Sequence, residues 1–457
     1  MLFSSISFLY YFLPCVLVLY FLVPRHFKNL ILLLSSLFFY AWGEPKLVIL
    51  MLTTIVIGYV LGIMIEMDNR HKKTYLVLAI ICFLGALGYF KYANFFVDNV
   101  NQLTGLSIPL LRVALPIGIS FYTFQILSYN IDVYRGEVKA QRNPLHLATY
   151  ISMFPQLIAG PIVRYKDVAA QLEKREHGID KVAIGIRRFV FGLSKKVLIA
   201  NVLGEICETF RQSDEKSVLF YWMYAIAFSL HIYFDFSGYS DMAIGLGKIF
   251  GFDFMENFNY PYISKSITEF WRRWHMSLGT WFRDYVYIPL GGSRVKKGRH
   301  IFNILIVWML TGFWHGAPWN FIIWGLYFAV FLVIEKMFLL KYLESSKIFS
   351  RIYVVFLVVV SFVIFNASSL SQVLMDIGGL FGYGNIPLVS AEAIYYLKSY
   401  ALVGALAMVG STPIPKKIVS KWEKVKYAEP VVLIMLLIVI TAYLVDGSFN
   451  PFLYFRF

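Results

Sequence analysis

Apolar residues along this chain fall in long blocks, with few polar positions inside each. The blocks cover residues 6–23, 30–42, 47–65, 75–89, 109–127, 219–234, 301–314, 321–334, 353–364, 393–408 and 431–444. Blocks of this kind read as helices in lipid, where each backbone N–H and C=O must find its partner within the segment. Several are shorter than the roughly 20 residues an untilted span needs, a deficit absorbed by snorkelling, local thinning or burial among other helices. The pattern predicts an all-α polytopic integral membrane protein. About 11 crossings are expected, with re-entrant or interfacial helices around a central funnel. No repeat at a 20–50-residue period is visible, and the two halves lack the matched broken helices of many transporters. The whole chain, 1–457, reads as one membrane domain, with its core motifs in 115–325 and a C-terminal tail over 445–457.

Loop charge sets the orientation. Segments 69–73, 164–188 and 416–427 are strongly basic, whereas 369–392 contains no Lys or Arg. The positive-inside rule places the first three in the cytoplasm and the last outside. One more crossing over 431–444 then leaves the tail on the outer side. Two stretches have basic ends on the same side and cannot be simple crossings. One is 145–163, where Pro155, Gly160 and Pro161 interrupt a short apolar run; such backbone survives at membrane depth only when buried in protein or lining a cavity. The other is 258–300, with Trp271, Arg272, Arg273, Trp274, His275, Arg283 and Asp284 closely interleaved. Both suit a funnel open to the cytoplasm.

Composition agrees with a lipid solvent. Of 457 residues, 59% are apolar and 15% charged, against roughly 45–50% and 25% in soluble domains. The net charge of +15 fits cytoplasmic loops, and no nucleic-acid partner is expected. Cys15, Cys82 and Cys207 lie far apart, so neither a disulfide framework nor a metal site is indicated. The first block lacks a basic leader and a small-residue cleavage site, and reads as a retained helix. The stretch GLGKIFG (245–251) lacks the preceding strand of a phosphate-binding loop.

Ionisable groups inside apolar segments are the first place to look for chemistry. His315 stands in TGFWHGAPWNF, beside a helix-breaking Gly-Ala-Pro and between Trp314 and Trp319. A buried imidazole stays neutral and can accept a hydroxyl proton; the plainer alternative is a core histidine bonded to a carbonyl. His275, four residues after Trp271, shares a face with it if the segment is helical. His231 and Asp235 have the same spacing and read more simply as satisfied buried groups than as a proton relay. Arg272 and Arg273, with Trp314, Asn320 and Asp241, are the candidate substrate contacts, although Asp241, taken by itself, reads as structural. Arg272, Arg273, Arg283, Arg294, Lys296, Lys297 and Arg299 could hold donor phosphates or anionic lipid.

Longer motifs narrow the choice. FDFSGYSDMAIG (234–245), NFNYPY (257–262), FWRRWHMSLGTWFRDYVYIPLGG (270–292) and TGFWHGAPWNF (311–321) resemble the membrane-bound O-acyltransferase superfamily. They are most similar to its polymer-modifying branch, the membrane subunits of alginate and peptidoglycan O-acetyltransferases. The likeness extends through the N-terminal helices and SFYTFQILSYNIDVYRG (120–136). It implies that His315 matches the family's essential histidine and His275 its second common one. It also implies acetyl-CoA as donor substrate, with no bound cofactor, and a bacterial cytoplasmic membrane. The acceptor would be an extracytoplasmic polysaccharide, served by an esterase-like (SGNH-type) partner acetyltransferase. D-alanyl transferases of teichoic acid share FSGYSDMAIG and the RRWHMSL core but usually diverge after FRDY, whereas this chain keeps YIPLGG. Some alginate-type relatives carry a histidine in the segment where this chain has Gln156, which leaves the acceptor polymer open. The ending NPFLYFRF (450–457) resembles a tyrosine-containing C-terminal motif of the same branch, implying Tyr454 as an acyl carrier. On composition alone it would be an interfacial anchor. An aryl ester suits a relay because a phenol, with pKa near 10, leaves more readily than a sugar hydroxyl. The other class of reading is a transporter or channel.

Overall fold

The structure is a computed structural model that describes residues 1–158, 160–420, 425–447 and 452–453, with 425–427 as backbone only. All regular secondary structure among the described residues is helical. Among the described residues, seven helices are long and apolar enough to cross a membrane: Val48–Met67, Lys72–Thr104, Val218–Ile249, Trp319–Ser345, Lys347–Asn366, Ala391–Gly410 and Ala428–Asp446. The eleven expected blocks are therefore not eleven full-length spans. Blocks 6–23 and 30–42 fall on the shorter helices Phe8–Leu22 and Lys28–Gly43. Block 301–314 lies within Lys297–His315, whose first turn carries Lys297, Arg299 and His300.

Block 109–127 is not one helix. Its first part is irregular, and the helix runs from Ile119 to Arg135. Pro109 and Pro116 deny the backbone two donors, and Gly118 takes a left-handed φ of 74° just before the helix. A Cβ at Gly118 would meet the Leu157 carbonyl oxygen at 2.7 Å, so the turn requires glycine. The sequence reading also passed over the helices Ile179–Ser194 and Asn201–Gln212, which are amphipathic and too charged to register as apolar blocks.

Packing divides the chain into two compact units. The first comprises Met1–Phe189 and Ser240–Met255. At its centre, Ile119–Arg135 is buried on nearly every side, including Gln125, Ser128, Asn130 and Asp132. Gly58 and Gly62 of Val48–Met67 let it approach closely: their Cβ positions would fall 2.4 Å from Ile126 and 2.8 Å from Tyr129. Segment 145–163 forms two short buried helices, Pro144–Ser152 and Phe154–Leu157, instead of a crossing. Protein groups satisfy its broken backbone. The Phe154 N–H donates to Ser36 Oγ (3.0 Å), and the Val163 carbonyl accepts from the Tyr150 hydroxyl (2.8 Å).

The second unit comprises Val190–Tyr239 and Glu256–Phe457. Its spine is the helical hairpin Lys297–His315 and Trp319–Ile334, closed by Gly316, Ala317 and Pro318. Two glycines set the crossing. A Cβ on Gly312 would lie 2.2 Å from the Phe321 carbonyl oxygen, and one on Gly325 2.2 Å from that of Trp308. Backbone thus packs on backbone, and His315 is fixed at the hairpin's tip. Gly312→Val should force the helices apart at a cost of about 1–3 kcal/mol, as overpacking does. Thermal unfolding of the detergent-solubilised protein should show a lower midpoint for this variant, and an unchanged midpoint would refute the close crossing.

Candidate active site

His275 sits where the chain changes direction. Helix Ile267–Trp271 stops four residues before it, and Met276–Phe282 starts immediately after. The imidazole-bearing residue takes φ 44° and ψ 53°, a left-handed conformation costing about 1–3 kcal/mol in a non-glycine residue. Trp271 and His275 therefore do not share a helix face; a tight turn, not helical periodicity, brings both to one cavity. Asn257 holds that turn. Its backbone carbonyl accepts from Met276 N–H (3.0 Å), and its Oδ1 accepts from the Ser277 hydroxyl (2.9 Å) and amide (3.2 Å). The same oxygen lies 3.3 Å from His275 Nδ1. An amide oxygen can only accept, so Nδ1 carries the proton and Nε2 presents a lone pair. The ring is 1% exposed and meets Phe236 edge-on at 4.6 Å and Trp314 at 5.9 Å.

His315 is the last residue of its helix and 5% exposed. Its ring lies against Trp314 (5.0 Å), Trp324 (5.2 Å) and Phe365 (5.4 Å). One indole, that of Trp314, therefore stands within 6 Å of both imidazoles. Asn320 fixes the neighbouring helix end by donating to the carbonyls of Phe365 (3.2 Å) and Ala367 (2.9 Å). That amide supports the wall behind His315.

Beside His275 lies a cavity of about 570 Å³. Three cationic side chains, Arg272, Arg283 and Lys336, line it, with Trp271, Trp308 and Thr311. The Trp271 indole N–H is buried there with no hydrogen-bond partner among the described residues, a donor available to a ligand. Trp271 also stacks edge-on with Trp324 (5.6 Å), so a second aromatic chain joins the cavity to His315.

Glu335 positions this wall from behind. Fully buried, it accepts from the amides of Ile267 (2.6 Å) and Thr268 (2.9 Å) and from the Thr268 hydroxyl (2.8 Å). These are the orphan donors at the start of the helix leading to Arg272. Neither Glu335 nor Lys336 was singled out from the sequence. The signal was present: two adjacent charges inside the apolar run 319–345.

The remaining sequence candidates are engaged elsewhere. Arg273 pairs with Glu269 at 2.8 Å and donates to the Asn259 carbonyl, outside the cavity lining. Asp241, in the first unit, accepts from Arg188 at 2.9 Å. His231 and Asp235 have separate partners: His231 Nδ1 donates to the Ala200 carbonyl (2.6 Å), and Asp235 pairs with Lys196. Gly245 serves close packing, with the Gly185 carbonyl oxygen 2.6 Å from its Cβ position. Tyr454 lies outside the described residues.

Residues 137–375 match MBOAT, the membrane-bound O-acyltransferase family, a stretch that holds Asn257, both site histidines and Lys336. The chain belongs to this family and is a multi-pass membrane O-acyltransferase. Among its relatives is the probable alginate O-acetylase AlgI of Pseudomonas putida, 40% identical over 490 aligned positions that cover 100% of both chains. The peptidoglycan O-acetyltransferase of Helicobacter pylori is 34% identical, over 87% of this chain and 83% of its own. The teichoic acid D-alanyltransferase of Bacillus subtilis is also 34% identical, over 49% of this chain and 59% of its own.

Burial holds the His275 pKa down to about 3, whereas an unfolded histidine titrates near 6.5. Between those values the unfolded chain binds the extra proton. This group's contribution to stability is thus complete above pH 6.5 and is lost as pH falls towards 3, at up to about 1.4 kcal/mol per pH unit. Asparagine tolerates the left-handed backbone, so His275→Asn should flatten the acid limb of a stability-against-pH curve measured by thermal unfolding. An identical acid limb in both proteins would refute a neutral buried His275.

Proposed function

We propose that this O-acyltransferase takes acetyl from cytoplasmic acetyl-CoA and passes it towards an extracytoplasmic polysaccharide. The observation that carries the reading is the pair of buried imidazoles facing one indole beside a cation-lined cavity. Phosphates of the donor suit Arg272, Arg283 and Lys336, because guanidinium forks and ammonium groups match phosphate oxygens. The Trp271 N–H is available to polar groups of the pantetheine arm, and the Thr311 hydroxyl, which donates to the Val307 carbonyl, can still accept. Relatives acting on polysaccharides align over most of the chain, and the D-alanyl transferase over about half, which favours acetyl over D-alanyl transfer.

A thioester is already activated, so the protein must supply proximity, a base and charge stabilisation. In this reading His315 takes the proton of the attacking hydroxyl as its oxygen bonds to the acetyl carbon. When the tetrahedral intermediate collapses, the C–S bond breaks and the imidazolium returns the proton to the departing CoA thiolate. Neutral His275, held by Asn257, orients the reacting groups from the cavity side. The first acceptor is the Tyr454 phenol. Its aryl ester is handed to an SGNH-type partner outside the bacterial cytoplasmic membrane, since the polymer is too large to reach a buried site.

His315→Ala should lower polymer acetylation by about 10²–10⁴-fold, the usual effect of losing a general base, with normal protein levels in the membrane. Near-normal acetylation would exclude the role. Arg272→Gln should raise the KM for acetyl-CoA several-fold with a smaller effect on kcat, measured in proteoliposomes with labelled donor. An unchanged KM would assign Arg272 to topology or lipid contact.

A further inference from the structure

A buried ion pair in the second unit has a geometry that core packing does not call for. Lys196 Nζ lies 2.6 Å from Asp235 Oδ1, with the two side chains 0% and 2% exposed. Removing two charges from water is costly, and a pair of apolar residues would ordinarily serve a core as well. The pair sits where two elements converge. Lys196 lies on a π-helical turn, Lys195–Ala200, a local irregularity that re-aims side chains and is frequent at functional sites. Gly238 allows the approach: its Cβ position would be 2.7 Å from the Gly192 carbonyl oxygen and 3.2 Å from Lys195.

The second oxygen of Asp235 shows what the pair is for. Oδ2 accepts a 2.8 Å hydrogen bond from the backbone N–H of Leu453, 218 residues away and buried. The preceding Phe452 is 1% exposed. The Lys196 ammonium lies 4.6 Å from the centre of its ring, and Tyr239 meets it edge-on at 4.8 Å. One carboxylate, one ammonium and one tyrosine thus grip two consecutive residues of the C-terminal segment through backbone, cation–π and ring contacts. These two residues are therefore seated in the unit's interior and are not a surface anchor.

The grip is close to the site. Phe236, the next residue after Asp235, is the ring that meets His275 at 4.6 Å. Leu453 is also the immediate chain neighbour of Tyr454.

We propose that the Lys196–Asp235 pair is an internal dock for the chain's own C-terminal segment and a positioning pair for acyl transfer to Tyr454. The positioning role rests on the reading of Tyr454 as first acceptor; the dock itself does not. Without the segment, Asp235 Oδ2 would lose its tail donor, so seating the segment and completing the pair's hydrogen bonding are one event.

The test uses the full chain in native membrane vesicles, with Cys15, Cys82 and Cys207 replaced by Ala and a single reporter, Leu453→Cys. Removing one charge alone would strand the other in the interior, so the main variant is the double replacement Lys196→Met with Asp235→Leu, which keeps the core apolar. Phe452→Ala, which leaves the ion pair intact, is the second. With the segment docked, maleimide labelling of the reporter is slow. Both variants should accelerate it at least tenfold while thermal unfolding confirms a folded protein. With the cysteine at 453 reverted to Leu, each should lower acetyl incorporation at Tyr454, read by intact mass after incubation with acetyl-CoA, by at least tenfold. Unchanged labelling in folded variants would overturn the dock. Faster labelling with undiminished acetylation of Tyr454 would overturn the positioning role. The carrier reading fails separately, if Tyr454→Phe supports full polymer acetylation, and that result leaves the labelling outcome standing.

Discussion

Breaking a helix in an apolar interior frees backbone donors and acceptors that water cannot reach, and each must be met by the protein. Nearly everything distinctive in this structure follows from that constraint. Asn257 answers the turn at His275, Glu335 the start of helix Ile267–Trp271, and Asn320 the helix-end carbonyls of Phe365 and Ala367. Asp235 does the same for the amide of Leu453. These four buried polar side chains each tie down irregular backbone, and in doing so they fix the groups around the two histidines. The polar residues that shape the site are therefore mostly not those that would touch a substrate.

That distinction explains how far the sequence could be read. Apolar blocks located all seven of the long apolar helices among the described residues, because length and hydropathy decide membrane spans. His315 stood out because an ionisable group beside a helix breaker in an apolar run is rare, and His275 because it sits in the FWRRWHMSLG motif. Block 109–127 was misjudged because hydropathy does not register what Pro116 and Gly118 do to backbone geometry. Ile179–Gln212 escaped because amphipathic helices carry too many charges to look like spans. Arg273, Asn320 and Asp241 were grouped with Arg272 by motif and charge, yet the first pairs with Glu269, the second clamps a helix end and the third pairs with Arg188. Partners brought together from distant parts of the chain decide such roles, and local sequence does not contain them.

His275 shows the same point within one residue. A spacing of four from Trp271 suggested a shared helical face, but the chain turns left-handed there and reaches the same cavity by another route. The strain is maintained because Asn257 accepts from Ser277 and receives Met276 N–H on its own backbone. Held in this way, a neutral ring with a defined tautomer meets Trp314, and the His315 ring meets the same indole. On the proposed reading, neither imidazole would have to find its orientation during the reaction.

Glu335 and Lys336 are consecutive, yet they face different tasks: one carboxylate grips the start of Ile267–Trp271, and one ammonium lines the cavity. Both ride on the same π-helical turn, Glu335–Leu339. The carboxylate that holds the start of Ile267–Trp271 and one of the cations of the cavity wall are thus a single peptide unit apart. A substitution that shifts the backbone at Lys336 would therefore disturb the hydrogen bonds of Glu335 as well, and cavity lining and helix start cannot be altered independently at this turn.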